Sequence, residues 1–316
     1  MIGRRTVAAA TAALGLTQIV GYGTLYYSFS ILAPAIAAEF RLSQEWVFAA
    51  LSGALFAGSL FAPLAGRWAD RYGAGRIMTF GSAAAAVALT FCALAPGRVS
   101  FVLALLAMEL ASCLVFYSFA FVALVQLGGP RPQRSIVHLT LIAGFASTLF
   151  WPITSTLHAS LTWREVYLVF AALNLLLCLP VHAWLMRITR VGGESSHPAG
   201  VSPVPAEAGM PLTRSARKAV FLLMLAGFAL EGFVLSAVLI HMVPLTAALG
   251  LGTAGLAVAT LFGPAQVASR LVNMLLGGRL PQTHLAVIAG GFLTLGLAVL
   301  VATTPWLPGG MLFVVL

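Results

Sequence analysis

Apolar residues along this chain fall in long unbroken runs. They do not alternate as in a strand, nor form the one-sided stripe of a surface helix. Such runs cover 8–34, 46–65, 77–95, 101–126, 136–158, 166–186, 219–244, 253–276 and 285–304. A helix needs roughly 20 apolar residues to cross a bilayer core of about 30 Å. Backbone groups in lipid must bond internally, so only helices or closed barrels span it, and barrel strands would alternate with period two. The pattern therefore predicts an all-α polytopic membrane protein with nine complete spans. A tenth begins near Pro308, and the chain stops at Leu316.

Composition excludes the soluble alternative. Hydrophobic residues make up 60% of the chain, charged residues 8%, and the mean hydropathy is +1.01. A soluble domain carries about 25% charged residues. Arg4 and Arg5 before the first run, with Ala35-Ile36-Ala37 after it, mimic a secretory leader. A leader core, however, runs about 7–15 residues, so the first run is expected to be a retained helix. Cys92, Cys113 and Cys178 lie inside apolar runs and read as packed thiols; no spacing suggests a metal.

Net charge is +9. The basic residues sit between apolar runs, which suits membrane orientation better than nucleic-acid binding. With the N-terminus in the cytoplasm, that side holds Arg4, Arg5, Arg67, Arg71, Arg76, Arg131, Arg134, Arg187, Arg190, Arg214, Arg217, Lys218 and Arg279. The outer loops hold only Arg41, Arg98 and Arg164. This asymmetry predicts a cytoplasmic N-terminus in a bacterial inner membrane.

Residues 187–218 differ from their surroundings. Gly192-Gly193, Ser195-Ser196, Pro198, Pro203, Pro205 and Pro211 cannot build a core and predict a flexible linker. The expected organisation is a six-helix bundle (1–186), a linker (187–218) and a second bundle (219–316). In transporters built of two such pseudo-symmetric halves, substrate binds between them near the midplane.

Between the second and third runs stands Gly66-Arg67-Trp68-Ala69-Asp70-Arg71-Tyr72-Gly73-Ala74-Gly75-Arg76. It resembles the signature loop of the major facilitator superfamily, G-x-x-x-D-R-x-G-x-x-R. Gly66 is expected to allow close helix approach, Gly73 a positive φ, and Asp70 a cap or an arginine partner. The resemblance makes Gly66, Asp70, Arg71, Gly73 and Arg76 a conformational latch. Trp163-Arg164-Glu165-Val166-Tyr167 resembles the family's W-R-x-x-[FY] loop. Helix 5 lacks the Gly-Pro pair of drug–proton antiporters. Arg187-Ile188-Thr189-Arg190 lacks the P-E-S-P-R sequence of sugar porters. An arginine in helix 8, Arg270, is similar to monocarboxylate-type members, although Gln266 stands where those carry an acid. A complete member has 12 spans, so the chain reads as truncated at its C-terminus.

The resemblance implies a secondary transporter working by alternating access, monomeric in the bilayer by family default, with a small-molecule substrate and protons as partners and no cofactor or metal. No zinc-protease, serine-nucleophile or phosphate-loop motif favours an enzyme or an ATP-driven pump. Ionisable groups within spans cost roughly 2.5–3.5 kcal/mol on insertion scales and mark function by default. Arg270, with Gln266 and Asn273 one helical turn away on either side, is the expected anion clamp. Glu231 in helix 7 and Glu109 in helix 4 are the proton-coupling candidates, with Glu231 alternatively the counter-charge to Arg270. Gln18, Tyr22 and Tyr26 form a polar-aromatic face expected to line the substrate path. A small organic anion is the leading substrate class; efflux of hydrophobic drugs, a channel and an inactive remnant are the alternatives.

Overall fold

The computed structural model describes residues 3–128, 132–193, 213–252, 254–276 and 282–316. Among these the chain is helical, with no strand. Among the described residues nine helices are long and apolar enough to cross a membrane. They are α1 (Arg4–Phe40), α2 (Gln44–Tyr72), α3 (Ala74–Leu94), α4 (Arg98–Gln126), α5 (Pro132–Ser160), α6 (Trp163–Thr189), α7 (Arg214–Leu251), α8 (Ala254–Leu275) and α9 (His284–Thr303). A tenth, α10 (Leu307–Val315), follows Trp306 at its N-cap. All nine apolar runs thus become helices.

The boundaries differ where hydropathy and hydrogen bonding part company. A helix ends where its backbone ladder ends, not where its side chains turn polar. So α2 continues through Arg67-Trp68-Ala69-Asp70-Arg71-Tyr72, and α3 begins at Ala74. The expected loop is two helix ends joined at Gly73, whose φ of 87° is open to glycine. The expected linker likewise shrinks. Helix continues from α6 through Gly193, and α7 starts at Arg214 behind a Thr213 cap, whose Oγ1 accepts from the Ala216 amide at 3.3 Å. Residues 194–212 lie outside the described residues.

In the first half, α3 packs against α2, α4 and α6. Small residues allow it. A Cβ at Gly81 would come within 2.6 Å of Leu114, and one at Gly75 within 2.7 Å of the Met186 backbone. Association in lipid relies on such close van der Waals contact. Two cores result. One, with Leu51, Leu89, Phe101 and Tyr167, lies toward the Glu39 end of the bundle; the other, with Ala69, Met78 and Leu124, lies toward the Asp70 end.

Arg164 pins the Glu39 end. Its guanidinium donates to the Glu39 carboxylate at 2.9 Å and to the carbonyls of Ala93 and Ala95, and it stacks over Trp163. Three helix ends, from α1, α3 and α6, meet on one fork. The ion pair is partly solvated, with 27% and 43% of the side chains exposed, so the carbonyl bonds carry most of its worth. Arg164→Ala is expected to cost about 1–3 kcal/mol and to lower the melting temperature of the detergent-solubilised protein. Arg164→Lys should recover only part, because one ammonium cannot copy a planar fork.

The second half is more open. Helix α10 packs on α9 and α8. Between α7 and α9 runs a groove of about 660 Å³, lined by apolar residues with Glu231 and Thr294. A third core crosses between the halves, joining Tyr27, Ala146 and Trp151 to Leu239, Met242, Val258 and Phe313.

Candidate functional site

Of the helices that meet at the seam between the halves, α1, α4, α5 and α8 depart from regular geometry there. In α1, residues Gly23–Tyr27 form a widened turn closed by Ser28 N donating to Gly23 O at 3.0 Å. The Phe150 ring occupies the space a side chain at position 23 would need. In α4 the ladder breaks over Cys113–Phe116, with Phe116 extended at φ −75°, ψ −177°. In α5 it breaks at Gly144-Phe145, and in α8 at Leu261. Such interruptions are tolerated in a membrane only where other groups satisfy the freed backbone, and they gather at functional sites.

The freed groups find partners across the seam or nearby. Gln18 Nε2 donates to the Val115 carbonyl at 2.7 Å, inside the break in α4. Thr148 Oγ1 donates to the Thr260 carbonyl at 2.8 Å, joining α5 to α8. Tyr26 donates weakly, at 3.4 Å, to the Ser236 carbonyl of α7. His241 of α7 lies against Phe48 of α2, ring centroids 4.2 Å apart.

The widened turn in α1 and the break in α4 bring rings together. Tyr22 stacks on Phe116 at 4.1 Å, nearly parallel, and lies 4.8 Å from Tyr117. Tyr26 and Tyr27 lie 6.4 Å from Tyr22, and Tyr27 meets Trp151 at 5.3 Å. Of the expected polar-aromatic face, Tyr22 and Tyr26 are half-buried at the seam. Gln18 is fully buried, with its Oε1 lacking a partner among the described residues.

Arg270 reaches from α8 to α5. It donates through Nη1 to the Thr140 carbonyl, and the Tyr117 hydroxyl lies beside it. Among the described residues no carboxylate lies within ion-pair distance of it. Gln266 is half-buried and Asn273 exposed. Neither bonds Arg270 among the described residues; a backbone carbonyl and a phenol flank it instead.

Glu109 is 1% exposed. Ser112 Oγ donates to its Oε2 at 3.2 Å, and its Oε1 has no partner among the described residues. Glu231 lies elsewhere, half-buried in the α7–α9 groove. Its alternative role as counter-charge to Arg270 is not realised, because Glu231 faces α9 whereas Arg270 faces α5. No ion pair joins them among the described residues.

The latch residues are divided. Asp70, Arg71 and Arg76 are exposed. Gly66 has no neighbour within 4 Å of where its Cβ would stand, so it does not serve the close approach expected of it. Asp70 does not cap α3, whose N-cap is Gly73. Gln126 at the end of α4 serves there: its Oε1 accepts from Ala74 N at 2.9 Å and its Nε2 donates to Ala69 O at 3.3 Å. Sequence reasoning passed over Gln126; a lone amide at the end of an apolar run was the available signal. It also passed over His182, which joins Ser82 and Thr17 inside the first half at 2.7 and 3.0 Å.

Helices α5 and α8 touch through glycines. A Cβ at Gly263 would overlap Thr148 and come within 2.8 Å of the Gly144 carbonyl; one at Gly144 would come within 2.7 Å of Val267. Gly263→Val is expected to force the seam apart and abolish activity in reconstituted vesicles. Gly290→Ala, with nothing within 4 Å, should leave it unchanged.

The family model of the Major Facilitator Superfamily matches residues 14–316, nearly the whole chain. No curated protein matches it.

Proposed function

The chain belongs to the Major Facilitator Superfamily, and from that premise we propose a carrier that moves small organic anions together with protons by alternating access. It is a multi-pass membrane protein of a transporter family. The observation that carries it is Arg270: a half-buried cation at the seam, without a carboxylate partner among the described residues. A charge so placed is costly unless something pairs with it, and a substrate carboxylate supplies that pair through two parallel bonds.

Glu109 is the favoured proton site. It is buried and keeps one oxygen without a partner among the described residues. Glu231, by contrast, sits in the separate α7–α9 groove. In this scheme the Asp70 motif acts as a latch through the Gly73 joint that Gln126 clips. The thirteen basic residues on one face of the membrane support a cytoplasmic N-terminus in a bacterial inner membrane, and the working unit is a monomer.

The test is counterflow in proteoliposomes at pH 7.5, where the uncharged acids are scarce. Internal unlabelled carboxylate should accelerate uptake of labelled carboxylate above protein-free vesicles. A channel would show no such acceleration. A second reading, movement of lipophilic cations, has the Glu231 groove in its favour: it is an apolar space with a single acid. Counterflow of a lipophilic cation that fails in Glu231→Gln, with none for carboxylates, would select that reading.

A further inference from the structure

We infer that the preferred substrates are aromatic carboxylates, with the acid group attached directly to a planar ring. The inference rests on the carboxylate reading above and concerns the body of the molecule, not its charge. Its basis is the row of rings that begins at Arg270. The Tyr117 hydroxyl lies beside the guanidinium, and the Tyr117 ring lies 4.8 Å from Tyr22, which stacks on Phe116. Tyr22, Phe116, Tyr117 and Arg270 are each half-buried, so none has its surface fully taken by its neighbours. A carboxylate held by Arg270 would put the next atoms of the substrate against these rings.

The chemistry of those walls discriminates among bodies. Flat rings offer offset or edge contacts to another ring, worth more than the area they cover. They offer little to hydroxyl groups. Of the amides nearby, Gln18 is fully buried with its Nε2 committed to the Val115 carbonyl and only its Oε1 open among the described residues, and Gln266 stands one helical turn from Arg270 along α8, so acceptors for many hydroxyls are few. A polyhydroxy acid would bring donors that find no acceptor on ring faces, and burying them without partners is costly. A short hydroxy acid would leave the rings unused. The break in α4 is what turns Phe116 and Tyr117 toward α1, and the widened turn in α1 holds Tyr22, Tyr26 and Tyr27 together. Two irregularities in separate helices thus build one aromatic surface next to one cation.

The experiment is equilibrium binding of benzoate, cyclohexanecarboxylate and lactate to the purified chain in nanodiscs. Benzoate is expected to bind about two- to tenfold tighter than cyclohexanecarboxylate, the scale of an aromatic contact added to equal charge and similar area, and tighter still than the smaller lactate. Tyr22→Leu should bring benzoate down to the level of cyclohexanecarboxylate while lactate binding stays. Tyr22→Phe, which keeps the stack on Phe116, should retain the preference and serves as the folded control. Benzoate and cyclohexanecarboxylate binding equally, or a preference that survives Tyr22→Leu, overturns the aromatic inference and leaves the carboxylate reading standing. Binding of all three that is indifferent to Arg270→Ala overturns the carboxylate reading and the inference with it.

Discussion

Arg270→Ala is expected to weaken carboxylate binding by roughly 30-fold or more, and to remove carboxylate counterflow. Truncating one partner of a desolvated, hydrogen-bonded charge pair costs about 2–5 kcal/mol, and about 1.4 kcal/mol is tenfold in affinity. The folded protein should hardly notice. The Thr140 carbonyl that Arg270 uses already accepts the Gly144 amide within α5 at 3.0 Å, so no backbone group is orphaned. Removing a cation that has no carboxylate beside it among the described residues relieves a burial cost. Unchanged melting with lost binding is the combined signature. A purely structural Arg270 would give the reverse, with melting lowered and binding kept. Arg270→Lys should fall between, since a single ammonium keeps the charge and loses the bidentate fork.

Glu109→Gln is expected to separate exchange from accumulation. With one proton carried per substrate, a pH gradient of two units supports at most about a hundredfold accumulation. Without a protonatable group at position 109, accumulation should fall to the level of simple equilibration while counterflow persists. Glutamine keeps the shape and an acceptor for the Ser112 hydroxyl, which donates to Glu109 at both Oε2 and the backbone carbonyl. The substitution therefore tests the proton and not the packing. Glu231→Gln should leave accumulation intact. If the roles are reversed, Glu231→Gln is the variant that loses it.

Much of this was legible in the pattern of apolar runs, because lipid forces every spanning backbone group to bond within a helix. Glu109 and Arg270 stood out for the same reason: charge inside an apolar run is rare. Element ends were less legible. Nothing in the polar stretch Arg67–Tyr72 stops a backbone ladder, and only Gly73, with its positive φ, does. The interruptions that shape the site were not readable. Cys113–Phe116 contains neither glycine nor proline, and the break there depends on Gln18, far away in sequence, taking the Val115 carbonyl. Gly144 and Gly263 were visible as small residues, but which helix each would face is a tertiary fact. The same holds for Arg270, whose spacing suggested amide neighbours on its own helix. The structure brings Thr140 and Tyr117 to it from other helices.

The central claim is that the seam couples a proton to a carboxylate. It is tested most directly by proton flux into proteoliposomes holding a pH-sensitive dye, with benzoate added outside at pH 7.5 and protein-free vesicles setting the passive leak. The account predicts saturable, benzoate-dependent proton entry with the wild-type chain, and none above the leak with Glu109→Gln or Arg270→Ala. Proton entry that is equal in all three proteins, or absent from folded and inserted wild-type protein, would contradict it.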